Sequence, residues 1–312
     1  MTPAVSIIVP NYNHAPFLQQ RLESIFNQTF QNFEVILLDD CSTDGSVTIL
    51  KNYSKHPKVS YFSINAKNSG STFKQWKKGI ALAKGTYIWI AESDDYCEPT
   101  FLETLLQFFN EDTTLGLVYC QSVDVNEKGK MVYHRINYTQ QFKPNIWNAN
   151  FTMVGKQFLQ NYLIVKNVIP NASAVLFKNE FINKAVFSKD LIAMKLCGDW
   201  LFWSKIALKT SVGFVAKELN FFRNHPTISR NHTTLKTQQL RLEEEARLRN
   251  ILSKSAIYNA NSTQQLYTKW FQYFTLKKLF NSKLYKVKNM NTSWLQYIWF
   301  FIKYQLIKKG WL

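Results

Sequence analysis

Over 312 residues the chain carries 38 Lys and Arg against 21 Asp and Glu, a net charge of +17, and its 46% hydrophobic residues suffice for a folded protein with a sizeable core. Four cysteines, at positions 41, 97, 120 and 197, form no close pair and no C-x-x-C, which argues against a disulfide framework or structural zinc site and points to a reducing cytoplasm. The opening MTPAVSIIVPNYN lacks a basic leader segment, and its apolar run is too short for a signal peptide or a spanning helix.

Val5 to Val9 reads as a buried strand, broken into a loop by Pro10, Asn11, Tyr12 and Asn13. Phe17, Leu18, Leu22, Ile25 and Phe26 then recur at helical spacing. Phe33 to Leu38 is a continuous apolar strand ending in Asp39 and Asp40. Ser42, Thr43 and Asp44 offer N-caps to a helix carried by Val47, Ile49, Leu50 and Tyr53 as far as His56. Val59 to Ile64 is a third strand and Lys67 to Gly70 a loop. Thr72 to Lys84 predicts a helix with Phe73, Trp76, Ile80 and Leu82 inward. Strands alternating with helices through short loops imply an α/β fold with a mostly parallel sheet and helices on both faces.

The stretch TYIWIAESDDYCEP, Thr86 to Pro99, completes that pattern. Tyr87 to Ile90 is a short strand of aromatic and β-branched residues, and Pro99 favours a helix start for FLETLLQFF. Between them Glu92, Asp94 and Asp95 crowd at the strand's carboxyl end, where open α/β sheets place their ligands. Acids so close repel unless a cation sits among them, and oxygen ligands suit Mg²⁺ or Mn²⁺ bridging to a phosphate. A solvated acidic turn capping the next helix is the plainer alternative. No G-x-G-x-x-G follows the first strand and no G-x-x-x-x-G-K-S/T occurs, so dinucleotide and P-loop readings lose ground.

VSIIVPNYNHAPFLQQRLESIFNQTFQNFEVILLDDCSTDGS, then NSG, then KGTYIWIAESDD resembles the nucleotide-binding half of the family 2 glycosyltransferases, which have the GT-A fold. The resemblance is dense over residues 4 to 110 and thinner to about 232. It implies a nucleotide-sugar-binding set. Pro10 and Tyr12 match the first loop, whose tyrosine packs on the base, with Asn13 beside them. Asp40 and Asp39 match acids that bind base or ribose, Asn68 lies in the NSG loop, and Glu92, Ser93, Asp94 and Asp95 match the D-x-D-D cluster. The first position is Glu92 rather than aspartate, so Asp94 is the expected chief metal ligand. Tyr12 packing on its own domain is the alternative for that residue.

In the second half Leu117 to Ser122 reads as a strand and Asp124 to Tyr133 as a hairpin around Gly129. Residues 135 to 172 show few clear periods and are expected to face the acceptor. Ala174 to Lys178 resembles the strand before the family's acceptor helix. CGDWLFW, Cys197 to Trp203, resembles the family motif whose aspartate faces the acceptor hydroxyl; that is Asp199, which also stands where it would N-cap a helix from Trp200 to Leu208. FFRNHPTISR, Phe221 to Arg230, resembles the closing loop over the diphosphate. It implies His225 as a metal or phosphate ligand and Arg223 or Arg230 as leaving-group cations.

Leu235 to Ser253 predicts a charged helix braced on the catalytic part. From Ile251 to Leu312 there are ten lysines, no arginine and no acid, interleaved with aromatics. Trp294 to Ile302 is too short to span a bilayer, so a helix lying at an anionic membrane surface is expected, with helices packed on the protein, lysines outward, as the alternative. The expected division is a GT-A domain over residues 1 to 232, with a nucleotide-sugar-binding half to 110 and an acceptor half from 111, and a helical extension over 233 to 312. The implied activity is inverting, metal-dependent transfer from a nucleoside-diphosphate sugar, first a UDP-sugar, to a glycan or lipid-linked acceptor in bacterial surface-polysaccharide synthesis. The enzyme is expected in the cytoplasm, peripheral at the inner face of the membrane. A nucleotide-sugar-binding protein without turnover, or a nucleic-acid binder using the basic tail, are the alternatives; Lys in excess over Arg and no RNA-binding motif weigh against nucleic acid.

Overall fold

Every residue of Val5–Asn11 (β1) is buried, and the strand can be so because it is covered on both faces and paired on both edges. The computed structural model describes residues 2–169, 171–226, 234–273, 287, 290 and 292–311. Phe33–Asp39 (β2) and Tyr87–Ile90 (β4) flank β1 in parallel, Ile8 lying opposite both Ile36 and Ile90, and Val59–Ile64 (β3) pairs outside β2. Successive residues of β1 and β2 point to opposite faces. Ile8, Ile36 and Leu38 therefore join one core with Phe73 and Trp76, while Val5, Ile7, Val9, Val35 and Leu37 join the other with Leu18, Leu22, Phe101 and Leu105. The covering helices are Ala15–Phe26 (α1), Ser46–Tyr53 (α2), Thr72–Leu82 (α3) and Phe101–Glu111 (α4), close to the predicted spans.

Beyond β4 lie Val175–Lys178 (β9), Leu115–Val125 (β6), Ser211–Arg223 (β10) and Tyr96–Cys97 (β5), giving the order β3-β2-β1-β4-β9-β6-β10-β5. β9 runs antiparallel between β4 and β6, and β6 pairs in parallel with β10. The predicted hairpin is present as β6 and Met131–His134 (β7), with Gly129 at φ +78 in its turn. The sequence reading assigned no strand to β10, although it is the longest in the sheet at 13 residues. It also took Phe221 to Arg230 as one loop. The structure instead ends β10 at Arg223, and residues 227–230, including the candidate Arg230, lie outside the described residues. The aperiodic stretch from 135 holds short helical turns and the edge strand Phe151–Val154 (β8), which pairs with β10.

Past a four-residue helical turn, Gly155–Phe158 (α5), and Lys189–Ala193 (α6), the helix Gly198–Ala207 (α7) carries the CGDWLFW motif into the core. It sits hard against α3: a Cβ built on Gly198 would lie 2.3 Å from the Phe73 ring, so only glycine admits this approach. The charged helix is Leu235–Ser253 (α8), as predicted, followed by Ala260–Gln272 (α9) and Trp294–Lys308 (α10). α8 splits its apolar residues: Leu248 and Leu252 enter the larger core cluster, while Leu242 and Ala246 belong to a smaller cluster with α9 and α10. Its bracing contact is Glu244, a buried carboxylate that accepts the backbone N–H groups of Lys195, Leu196 and Cys197 at 2.8 to 2.9 Å. These are donors at the start of α7, where a negative charge is favoured.

Glu244→Ala leaves those three buried donors without their carboxylate. It is expected to lower stability by about 2 kcal/mol in urea unfolding, with the transition remaining cooperative.

Candidate active site

β4 stops at Ile90, and the chain turns through Glu92, Ser93, Asp94 and Asp95 before Tyr96–Cys97 (β5) pairs antiparallel with the end of β10. Phe221 stands opposite Tyr96, so the residues just beyond it run back along the acidic turn. His225, 131 residues further along the chain, thereby brings Nε2 to 3.1 Å from Asp94 Oδ2. His14, on the loop after β1, stands edge-on to His225 with centroids 5.4 Å apart, and its Nδ1 lies 2.8 Å from Ser93 Oγ. Burial pulls the His14 pKa down and favours neutral imidazole. Burial would raise Asp94, but the hydrogen bond with His225 and the nearby imidazoles hold it below the usual carboxylate range.

One donor atom from each of His14, Asp94 and His225 lies within 4.8 Å of the others. That is slightly wider than the ~4.2 Å spanned by two metal bonds of about 2.1 Å. With a small inward shift of its side chains the trio would fit a divalent ion. Its chemistry departs from the oxygen-only set read from the sequence, since two of three donors are imidazole nitrogens, a poorer match for Mg²⁺ than for a transition ion such as Mn²⁺.

Asp95, expected among the metal ligands, turns the other way. Its Oδ2 accepts Asn171 Nδ2 at 2.9 Å and Ser173 Oγ at 2.7 Å, its Oδ1 accepts the Arg223 backbone N–H at 2.9 Å, and burial pushes its pKa up. Glu92 is separate again. Trp76 Nε1 donates to its Oε1 at 2.7 Å, and burial, then the charge of Asp94, push it up to about 8. Arg21, fully buried, donates Nε to the Glu92 carbonyl and stacks over Trp89, and Arg223 is buried on the turn's far side. Arg223 is committed to protein groups, donating to the carbonyls of Asp94, Asn126 and Glu127 and to Gln20 Oε1. The leaving-group role expected of it is therefore corrected to that of a brace, because its guanidinium is spent on the loops around the turn.

The loops expected to bind nucleotide gather at the same end of the sheet. Pro10 lies within β1, and the Tyr12 ring just beyond is 45% exposed, open to stacking. Asn13 takes a left-handed φ of 56 and ties this loop to the next: its N–H donates to Ser42 Oγ and its Oδ1 accepts Thr43 N–H. Asp39 accepts Asn11 Nδ2, Ser42 N–H and Ser42 Oγ. Asp40 accepts Asn65 Nδ2, Gln75 Nε2, and both the N–H and Oγ of Ser69. Both acids are thus turned into the protein, where they shape the loops, rather than toward a base. The exposed Asn68 closes the same loop, accepting Gly70 N–H and donating to the Asp40 carbonyl. Ser42 and Thr43 are used in these ties, so they do not cap α2; Asp44 accepts Ser46 N–H at its start.

Asp199 sits in the first turn of α7, two residues past the N-cap Cys197, whose own side chain makes no capping bond. Asn167 Nδ2 donates to its Oδ2 at 3.1 Å, and burial raises its pKa against the opposing charge of Arg241. Arg241 and Arg249 flank the Trp200 ring beside it. The segment from Asn167 to Asn171 holds Asp199 at one end and Asp95 at the other, and four residues of chain span at most about 14 Å. α3 links the same two places, because Trp76 bonds Glu92 while its ring packs on Phe202 and Trp203 of α7. Of these groups, His14, Asn167, Asn171, Ser173, Arg21 and Trp76 were not read as functional. His14 had a signal, standing next to the expected nucleotide loop; the asparagines lay in polar, aperiodic sequence that carried none.

Residues 6–168 match the model of glycosyl transferase family 2, and the chain belongs to that family. It is 34% identical to chondroitin synthase of Escherichia coli over 137 residues, 44% of this chain and 20% of that one, so it spans only a fifth of that relative. It is 29% identical to the cholesterol galactosyltransferase of Borreliella burgdorferi over 276 residues, 86% of this chain and 73% of that one. In fold it resembles S. aureus TarS 1-349 in complex with UDP-GlcNAc, with a TM-score of 0.59 at 19% identity over 86% of this chain and 80% of that one. The mannosyltransferase PcManGT from Pyrobaculum calidifontis, in complex with GDP-Man and Mn²⁺, gives 0.55 at 16% identity over 86% and 69%.

Glu92 yields a pH signature in the metal-free protein. Its folded pKa lies above the ordinary 4.5, so the stability it contributes is full below about 4.5 and lost as the pH rises toward 8. In urea unfolding with EDTA, Glu92→Gln is expected to flatten the decline in stability over that window relative to the wild type.

Proposed function

We propose that this chain is an inverting, metal-dependent glycosyltransferase. It moves a sugar from a nucleoside-diphosphate sugar, a UDP-sugar first, to a hydroxyl of a glycan or lipid-linked saccharide in bacterial surface-polysaccharide synthesis. The observation that carries this reading is the pairing of a metal-competent trio with a second, independently held carboxylate, Asp199, one short segment away. The fold's likeness to proteins bound to UDP-GlcNAc and to GDP-Man with Mn²⁺ supports the donor class. Residues 1 to 232 form the catalytic unit, and 233 to 312 an extension that meets an anionic membrane at the cytoplasmic face, with no nucleic-acid partner.

In this scheme His14, Asp94 and His225 would hold Mn²⁺, with Ser93 fixing the His14 ring through Nδ1, as outer partners of ligating histidines do. The ion supplies charge stabilisation for the departing diphosphate. Asp95 positions the turn from behind rather than binding the ion. Tyr12 stacks on the base, and Asp39, Asp40, Asn13 and Asn68 keep the nucleotide loops in place. Asp199 takes the proton from the acceptor hydroxyl as its oxygen attacks the anomeric carbon opposite the diphosphate, and the raised pKa suits a base. One base suffices for single displacement with inversion.

Replacing Asp199 with Asn is expected to reduce transfer about 10³-fold while nucleotide affinity by calorimetry stays within about twofold. In the wild type, activity should fall as the pH drops through the pKa of Asp199, above the ordinary aspartate range. Retained turnover in the variant would remove Asp199 from the role of base. For the metal, electron paramagnetic resonance of Mn²⁺ separates the candidates: His14→Ala, Asp94→Ala and His225→Ala are expected to weaken binding at least about tenfold, as loss of a ligand or its support does. Asp95→Asn should keep Mn²⁺ affinity but lower stability by about 1 to 3 kcal/mol through its buried partners. A loss of Mn²⁺ with Asp95→Asn alone would restore it as the ligand.

A further inference from the structure

Helix α10 has two apolar faces, and the described residues cover only one. Tyr297 and Phe300 pack into α9, with Tyr297 5.4 Å from Phe271 and Phe300 5.4 Å from Tyr267 between ring centroids. A capping box of Ser293 and Gln296 fixes where the helix starts. On the opposite side Leu295, Trp299 and Ile302 follow at i, i+4 and i+7 and are 79%, 54% and 51% exposed, with Leu306 next in the row. The expected alternative of packed helices with lysines outward thus holds for the inner face only. Apolar side chains stand on the outer one.

We infer that this outer row seats α10 in the interface of an anionic lipid bilayer, the helix lying along the surface with Leu295, Trp299 and Ile302 among the acyl chains. The inference rests on the membrane reading above for its purpose, and on α10 alone for its geometry. Lys303 reaches over the Trp299 ring at 5.0 Å, Lys308 and Lys309 close the helix, and residues 251 to 312 contain ten lysines and no acid. This is the composition that anionic headgroups attract. The helix has 15 residues, about 22 Å long, and among the described residues no helix is long and apolar enough to cross a membrane, so it lies on the surface. A second copy of the chain fits less well, because it would press two lysine-rich, acid-free segments together. Nucleic acid fits less well because bases stack on aromatic rings, and Leu295, Ile302 and Leu306 are aliphatic.

The test uses the full chain in flotation with phosphatidylcholine vesicles, with and without phosphatidylglycerol, and needs neither donor nor acceptor. Binding is expected only with the anionic lipid, with Trp299 quenched by brominated acyl chains and that quenching lost in Trp299→Phe. The triple variant Leu295→Ser, Trp299→Ser, Ile302→Ser should lose at least about tenfold in partition while keeping metal-dependent nucleotide binding. Joint replacement of Lys303, Lys308 and Lys309 by Gln should abolish the preference for phosphatidylglycerol. The inference is overturned if the wild type ignores both vesicles or the triple variant binds as well as wild type. It is equally overturned if the triple substitution instead dissolves a dimer in sedimentation velocity or abolishes oligonucleotide binding.

Discussion

Three carboxylates forced together at the end of one buried strand set the terms for the rest of this protein. Glu92, Asp94 and Asp95 fall within four consecutive positions beside a fully packed sheet, where water can shield them little and charge is expensive to bury. Each is handled differently. Glu92 is driven toward its neutral form under Trp76, Asp95 is raised by burial among buried donors, and only Asp94 is held below the ordinary carboxylate range, by its hydrogen bond with His225 and the nearby imidazoles. The separation of one acidic cluster into three environments leaves a single carboxylate for a cation, with Arg21 and Arg223 balancing the others from behind.

The groups that do this arrive from distant parts of the chain, and the sheet delivers them. β5 exists as a two-residue strand because it pairs with β10, and that pairing brings Arg223 and His225 to the acidic turn. Ahead of β9, Asn171 and Ser173 bond Asp95 and Asn167 bonds Asp199. Asp199 is therefore coupled to the acidic turn through covalent chain as well as packing. Glu244 of α8 holds the start of α7, so α8 is built into the larger core by a charged contact as well as by Leu248 and Leu252.

Much of this was legible in the chain itself. β1, β2, β3, β4, α3, α4 and α8 follow the predicted spans because each is a long apolar run or a strong helical period, whose partner surface hardly matters. The acidic turn, the DWLFW helix and His225 were legible as motifs, and their resemblance to a family of sugar transferases agrees with the family match over residues 6–168. β10 escaped because register shifts between Val215 and Glu218 and between Glu218 and Asn220 interrupt its alternation.

What the sequence determined by itself was therefore the elements, the α/β class and the presence of acids and histidines suited to a divalent cation. Tertiary structure alone decided which of them meet. Asp39, Asp40, Asp94 and Asp95 are all aspartates following strands, yet hydrogen-bond partners 25 to 131 residues away turn Asp40 inward, saturate Asp95 and leave Asp94 beside His14 and His225. A carboxylate's role depends on how buried it is and which donors face it, and both are properties of the folded neighbourhood rather than of the local chain.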